Sequence, residues 1–226
     1  MQLACSYRLF SKRIIFMRIF VLTTGRTAST TFSKACSHFE GMTASHESKA
    51  GKIKGRLDYP DNHVEIDNRL VWFLSSLEKI YKTEDTFYVY LKRDKEEVIK
   101  SYIKRWYVKS SIVRGMFNNI LMCEGHASYS EKYQSCELYV DTVEDAIESF
   151  GARNKNYAVV SLGNIKEDFS NFVTQAGVRC DLEKALSEFD TKTNENQSLA
   201  EKFTPSKVIN KVKRIFLGIP EYLKVV

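Results

Sequence analysis

Apolar residues in this chain fall into short unbroken blocks that alternate with longer amphipathic stretches. Residues 14–23 are β-branched, aromatic and almost uninterrupted, the pattern of a strand buried on both faces. Residues 24–28 form a small-residue loop. Residues 29–39 then read as a helix, with Ser29 or Thr30 near its start, where hydroxyls satisfy free backbone N–H groups. A second short strand is expected at 42–45, followed by a basic loop at 49–62 that contains Gly51, Gly55 and Pro60. From 64 to 81 the residues Leu70, Phe73, Leu74, Leu77, Ile80 and Tyr81 recur three or four positions apart, which predicts one amphipathic helix.

The block TFYVYL at 86–91 is the clearest strand. Asp94 follows as an N-cap, with Glu96 and Glu97 in the first turn where the helix dipole favours them. Val98, Ile99, Tyr102, Ile103 and Trp106 mark the buried face of that helix. Further helices are expected at 110–123 and 129–150, a buried strand at 157–162, helical stretches at 165–176 and 182–189, and a basic helix at 206–216. Strands separated by helices predict an α/β fold: a three-layer α/β/α arrangement around a central parallel sheet. Ligands of such sheets bind outside the carboxyl ends of the strands. The loops after the first strand and after TFYVYL are therefore the places to look for chemistry.

Composition narrows the choices. At 226 residues the chain suits a single domain, 1–226, with 1–13 as a short extension. Hydrophobic residues make up 43%, enough apolar surface to exclude disorder as the main theme. A net charge of +6 suits an anionic ligand but falls short of the basic stripe of a dedicated nucleic-acid binder. The cysteines (Cys5, Cys36, Cys123, Cys136, Cys180) are scattered and odd in number, which argues against disulfides or a zinc site. The histidines show no ligand spacing, and no metal is expected. Arg18 interrupts the apolar run near the start, no small-residue cleavage site follows, and the run is too short to span a bilayer of about 20 residues. A cytoplasmic protein without a membrane span is expected, with Met17 as an alternative first residue.

The stretch FVLTTGRTASTTF puts Gly25, Arg26, Thr27, Ala28, Ser29 and Thr30 between a strand and a helix. Backbone N–H groups and a positive helix terminus make such a turn a phosphate site, and Arg26 adds a permanent charge. It lacks the second glycine and the lysine of a Walker A loop, so an ordinary Mg-ATP kinase is disfavoured. In VYLKRDKEEVIKSYIKRW, Arg93 ends a strand and Ser101 follows eight residues later, with Arg105 on the same helix face as Ser101. These residues are candidates for a second anion site.

Together, Gly25-Arg26-Thr27-Ala28-Ser29-Thr30-Thr31 and the Arg93 to Ser101 spacing resemble the PAPS-dependent sulfotransferase family (PAPS, 3′-phosphoadenosine-5′-phosphosulfate). The resemblance covers about a third of the chain and is loose after Trp106. It implies a P-loop, nucleotide-kinase-like fold and transfer of a sulfuryl group from PAPS, with PAP as product. By the resemblance Arg26 contacts the 5′-phosphosulfate, Thr27, Ala28, Ser29 and Thr30 cradle it, and Arg93 and Ser101 bind the 3′-phosphate. Phe32 stands where members often place an aromatic residue that stacks on adenine; the alternative for this ring is a place in the core. Ala28 replaces the family's glycine, so the turn must keep φ negative there or carry strain. MTASHESK supplies Glu47, and second His46, as the base that takes the acceptor's proton. Lys49, Lys52, Lys54 and Arg56 form a flexible basic loop that steers an anion or closes as a lid. The acceptor is open: a small molecule, a carbohydrate or a peptide. The competing readings are a phosphoryl transferase of related fold and a non-catalytic module for phosphonucleotides or polyanions.

Overall fold

The computed structural model describes residues 17–190. Residues 14–16 of the first expected strand, the extension at 1–13 and the helix expected at 206–216 lie outside the described residues. A five-stranded sheet runs in the order β2-β3-β1-β4-β5, and every pairing is parallel. The strands are β1 (Arg18–Leu22), β2 (Thr43–His46), β3 (His63–Ile66), β4 (Thr86–Lys92) and β5 (Tyr157–Ser161). From β1 the chain runs to β2 on one side, returns to β3, then crosses β1 to reach β4. That reversal makes a topological switch point at the carboxyl end of β1, the place where open parallel sheets form a ligand-binding crevice.

Period-two alternation along β1 and β4 divides the core in two. Ile19, Val21, Phe87, Val89 and Leu91 face one layer, with α1 (Ser29–Cys36), α6 (Ile165–Ala176) and α7 (Leu182–Ser187). Phe20, Leu22, Tyr88 and Tyr90 face the other, with α2 (Leu74–Ile80), α3 (Lys95–Lys104) and α5 (Tyr129–Gly151). A short helix, α4 (Ile112–Gly115), continues into a π turn beneath Trp106. Asp94 caps α3 as expected, accepting from the Glu97 amide. Among the described residues no helix is long and apolar enough to cross a membrane.

Two expectations are overturned. Residues 64–81 are not one helix: β3 ends at Ile66, a 3₁₀ turn spans Asn68–Phe73, and α2 follows. In HVEID only Val64 and Ile66 are apolar, and the alternate positions His63, Glu65 and Asp67 are buried although polar. A strand with a polar buried face has no hydrophobic period to read. Likewise β5 is not buried on both faces. It is an edge strand, and Val159 is half-exposed.

The polar face of β3 anchors the chain that follows β2. Glu65 accepts from the Ser48 amide at 2.8 Å and from the Ser48 hydroxyl. His63 lies parallel to the Tyr59 ring, 6.1 Å between centroids. Asp67, fully buried, accepts from the Arg56 guanidinium and from the Arg69 amide. Tyr81 reaches across to the Leu57 carbonyl at 2.6 Å. The stretch expected to be a flexible basic loop is thus stapled at several points. Lys52 and Lys54 remain in solvent, whereas Arg56 belongs to a buried ion pair. Removing one partner of such a pair strands the other charge, at a cost of about 3–5 kcal/mol. Asp67→Ala is expected to lower the unfolding free energy by about 3 kcal/mol, read from urea denaturation at unchanged slope. A loss under about 1 kcal/mol would show that the loop is held by something else.

Candidate active site

The turn between β1 and α1 takes an unusual backbone path. Gly25, Arg26 and Ala28 all have positive φ, at 79°, 63° and 55°. Gly25 cannot be replaced without cost, because a Cβ there would lie 2.5 Å from the Tyr102 hydroxyl oxygen and 2.9 Å from the Asn68 side-chain nitrogen. Of the two options left open for Ala28, the structure takes the strained one. The left-handed region costs a non-glycine residue roughly 1–2 kcal/mol. Ala28 is also the N-cap of α1 and offers no side-chain acceptor, so neither Ser29 nor Thr30 caps the helix as expected. The Ser29 hydroxyl is instead bonded to His46. Thr27 is fully buried, and its hydroxyl turns inward to share a hydrogen bond with Thr23, as a buried hydroxyl must find a partner. Thr30 is exposed.

The second predicted cluster meets the first. Arg93 donates to the Arg26 carbonyl at 2.8 Å, and Arg26 Nε donates to the Ser101 hydroxyl at 3.0 Å. Burial, and then the neighbouring charges of Arg105 and Arg93, push the Arg26 guanidinium below its usual pKa. Arg93 pairs at 3.5 Å with Glu97. Among the described residues, neither Arg26 nor Arg105 has a carboxylate within ion-pair distance. Cations gathered in this way, beside a helix N-terminus without a side-chain cap, fit a ligand with more than one phosphate or sulfate group. The same residues offer no cluster for a metal: among the described residues no group of three His, Cys, Asp or Glu side chains is suited to hold one.

On the other side of the crevice stands the end of β2. His46 Nε2 is 2.8 Å from the Ser29 hydroxyl, which ties this strand end to the turn. Glu47 has φ 53°, and its carboxylate pairs with Arg69 at 3.0 Å. Arg69 in turn lies 3.6 Å from Asp67. The periodicity of 64–81 hides Arg69 and Asp67, because it predicts one helix where a strand, a 3₁₀ turn and a helix follow one another. The usable signal was Asp67 itself, whose side chain caps the 3₁₀ turn. Phe32 belongs to the core rather than the crevice: it is 1% exposed and packs on Phe169, Phe172 and Phe189.

No family model matches this sequence, and no curated protein matches it. Solved structures do. The "Sulfotransferase Domain from the Curacin Biosynthetic Pathway" superposes with a TM-score of 0.54 at 11% identity, covering 79% of this chain and 78% of that one. Mouse sulfotransferase SULT7A1 complexed with PAP gives 0.52 at 11% identity, covering 80% and 68%. The chain has the sulfotransferase fold. At this identity the likeness speaks for the fold, and function must be argued from the site.

Relief of the strain at Ala28 is measurable. Ala28→Gly is expected to raise the unfolding free energy by about 0.5–1 kcal/mol, the left-handed penalty less the entropy of a glycine in the unfolded chain. Thermal and urea unfolding would read it. A loss of stability would mean that Ala28 does not hold this conformation.

Proposed function

We propose that the protein is a sulfotransferase that moves a sulfuryl group from PAPS to a hydroxyl or amine of its acceptor. The observation that carries this reading is the meeting of Arg26, Arg93, Arg105 and Ser101 at the N-terminus of α1, in the crevice of a sulfotransferase-fold sheet. Arg26 and the amides of residues 27–30 bind the 5′-phosphosulfate, and Arg93 and Ser101 take the 3′-phosphate. The acceptor oxygen or nitrogen attacks sulfur in line. As the new bond forms, the sulfur–phosphate oxygen bond breaks, and the leaving phosphate's charge falls to Arg26 and the helix terminus. Glu47 takes the acceptor's proton, held in orientation by Arg69; His46, bonded to Ser29, is the alternative base. The electrostatic work is assigned to side chains and amides, and no metal step is invoked.

Calorimetric titration with PAP and with ADP, in EDTA, tests the donor site. Micromolar binding of PAP is expected, with ADP and the Arg93→Ala variant each weaker by about tenfold or more, since a hydrogen bond to a charged group contributes about 1.5–3 kcal/mol. Equal binding of PAP and ADP, or binding only with Mg²⁺, would overturn the sulfotransferase reading in favour of phosphoryl transfer. With an acceptor in hand, Glu47→Gln should lower turnover by about 10²-fold or more while leaving PAP affinity unchanged. If His46→Asn does so instead, the base is His46.

A further inference from the structure

The turn that carries Arg26 is held from beneath by two tyrosine hydroxyls that also lie against each other. Tyr102, on α3, donates to the Thr24 carbonyl at 2.7 Å, and Tyr139, on α5, donates to the same oxygen at 3.0 Å. A carbonyl oxygen has two lone pairs, and here each receives a tyrosine. The other end of the same peptide unit is also fixed, because the Gly25 amide donates to Thr23 Oγ1 at 3.1 Å. Asn68, at the start of the 3₁₀ turn after β3, lies against the Tyr139 hydroxyl and under Gly25. Two helices therefore converge on one peptide plane, with Asn68 from a third element against the Tyr139 hydroxyl.

Packing alone does not ask for tyrosine at these positions. Tyr102 is 5% exposed and Tyr139 fully buried, their rings meet edge to face at 5.6 Å, and phenylalanine would fill nearly the same volume. Burial raises the Tyr102 pKa well above its usual value and pushes that of Tyr139 up to about 12, so both hydroxyls keep the protons they donate. Downstream of the clamped peptide come the positive φ values of Gly25 and Arg26, which set where the Arg26 side chain and the following amides face. Tyr102 is also adjacent in sequence to Ser101, the hydrogen-bond partner of Arg26.

We infer that Tyr102 and Tyr139 are positioning residues for the 5′-phosphosulfate turn: they clamp the Thr24–Gly25 peptide and hold the anion-binding conformation without touching the ligand. The identity of that ligand rests on the function proposed above, but the clamp does not. Its loss should weaken recognition at the 5′ end of the nucleotide and spare the 3′ end.

The test uses the full chain as Tyr102→Phe, Tyr139→Phe and the double variant, with two readouts. In the first, amide hydrogen exchange is followed without ligand. Residues 25–28 of the double variant should exchange about tenfold faster, as expected for the loss of two buried hydrogen bonds, while β1 and α5 keep their protection. Unchanged exchange at 25–28, or equal loss across the core, would overturn the clamp. In the second, PAP and adenosine 3′-monophosphate, which lacks the 5′-phosphate, are titrated in EDTA. The double variant should bind PAP about tenfold more weakly and the 3′-monophosphate within twofold of the unaltered chain. A parallel loss for both ligands, or none for PAP, would overturn a positioning role. An unaltered chain that takes up no PAP, yet shows the exchange contrast, would overturn the donor assignment and leave the clamp standing.

Discussion

Like charges crowd together at the carboxyl end of β1. Burial first, and then the charges of Arg105 and Arg93, lower the pKa of the Arg26 guanidinium, and Arg93 is bonded to the Arg26 carbonyl. The left-handed backbone at Arg26 and Ala28 persists only where the surrounding structure over-determines it. That requirement accounts for much of what surrounds the site. The turn backbone is bent into left-handed conformations, Arg93 is tied to a main-chain carbonyl, and Arg26 is tied to a helix hydroxyl.

The second organising feature is the polar face of β3. A buried carboxylate is costly unless each oxygen finds a donor. Glu65 and Asp67 meet that condition by drawing in Ser48, His63, Arg56 and the Arg69 amide. The consequence is positional. The segment after β2, which bears Glu47, is bound to the sheet it follows, and Arg69 is delivered to the Glu47 carboxylate. The turn after β1 is thus held by hydroxyls from α3 and α5, and the segment after β2 by Glu65 of β3 and Asp67 just beyond it.

The Phe32 ring shows packing choosing between two readings of one position. Its place in the chain matches an adenine-stacking aromatic, but helical periodicity turns residue 32 toward Phe169 and Phe172, in the layer behind the sheet. Family position and local geometry disagree here, and the ring contacts decide between them.

Much was legible from the residues alone. Uninterrupted apolar blocks announce central parallel strands, because burial on both faces leaves no polar position, and β1 and β4 were found for that reason. The N-cap at Asp94, the bounds of α6, and the two strand-end motifs are local signals of spacing and charge, and local signals survive in one dimension. Three things were not legible. β3 was missed because its buried face is polar and its partners lie far off in sequence: Arg56 for Asp67, Ser48 for Glu65. Arg69 was missed along with it. The Thr24 clamp joins residues 78 and 115 positions apart, and no spacing rule links a carbonyl to two tyrosines on different helices. Chain order specifies which groups exist and how short stretches fold. Which distant polar groups satisfy one another is settled by burial, since a donor and an acceptor become mutually necessary only after water has been removed from both.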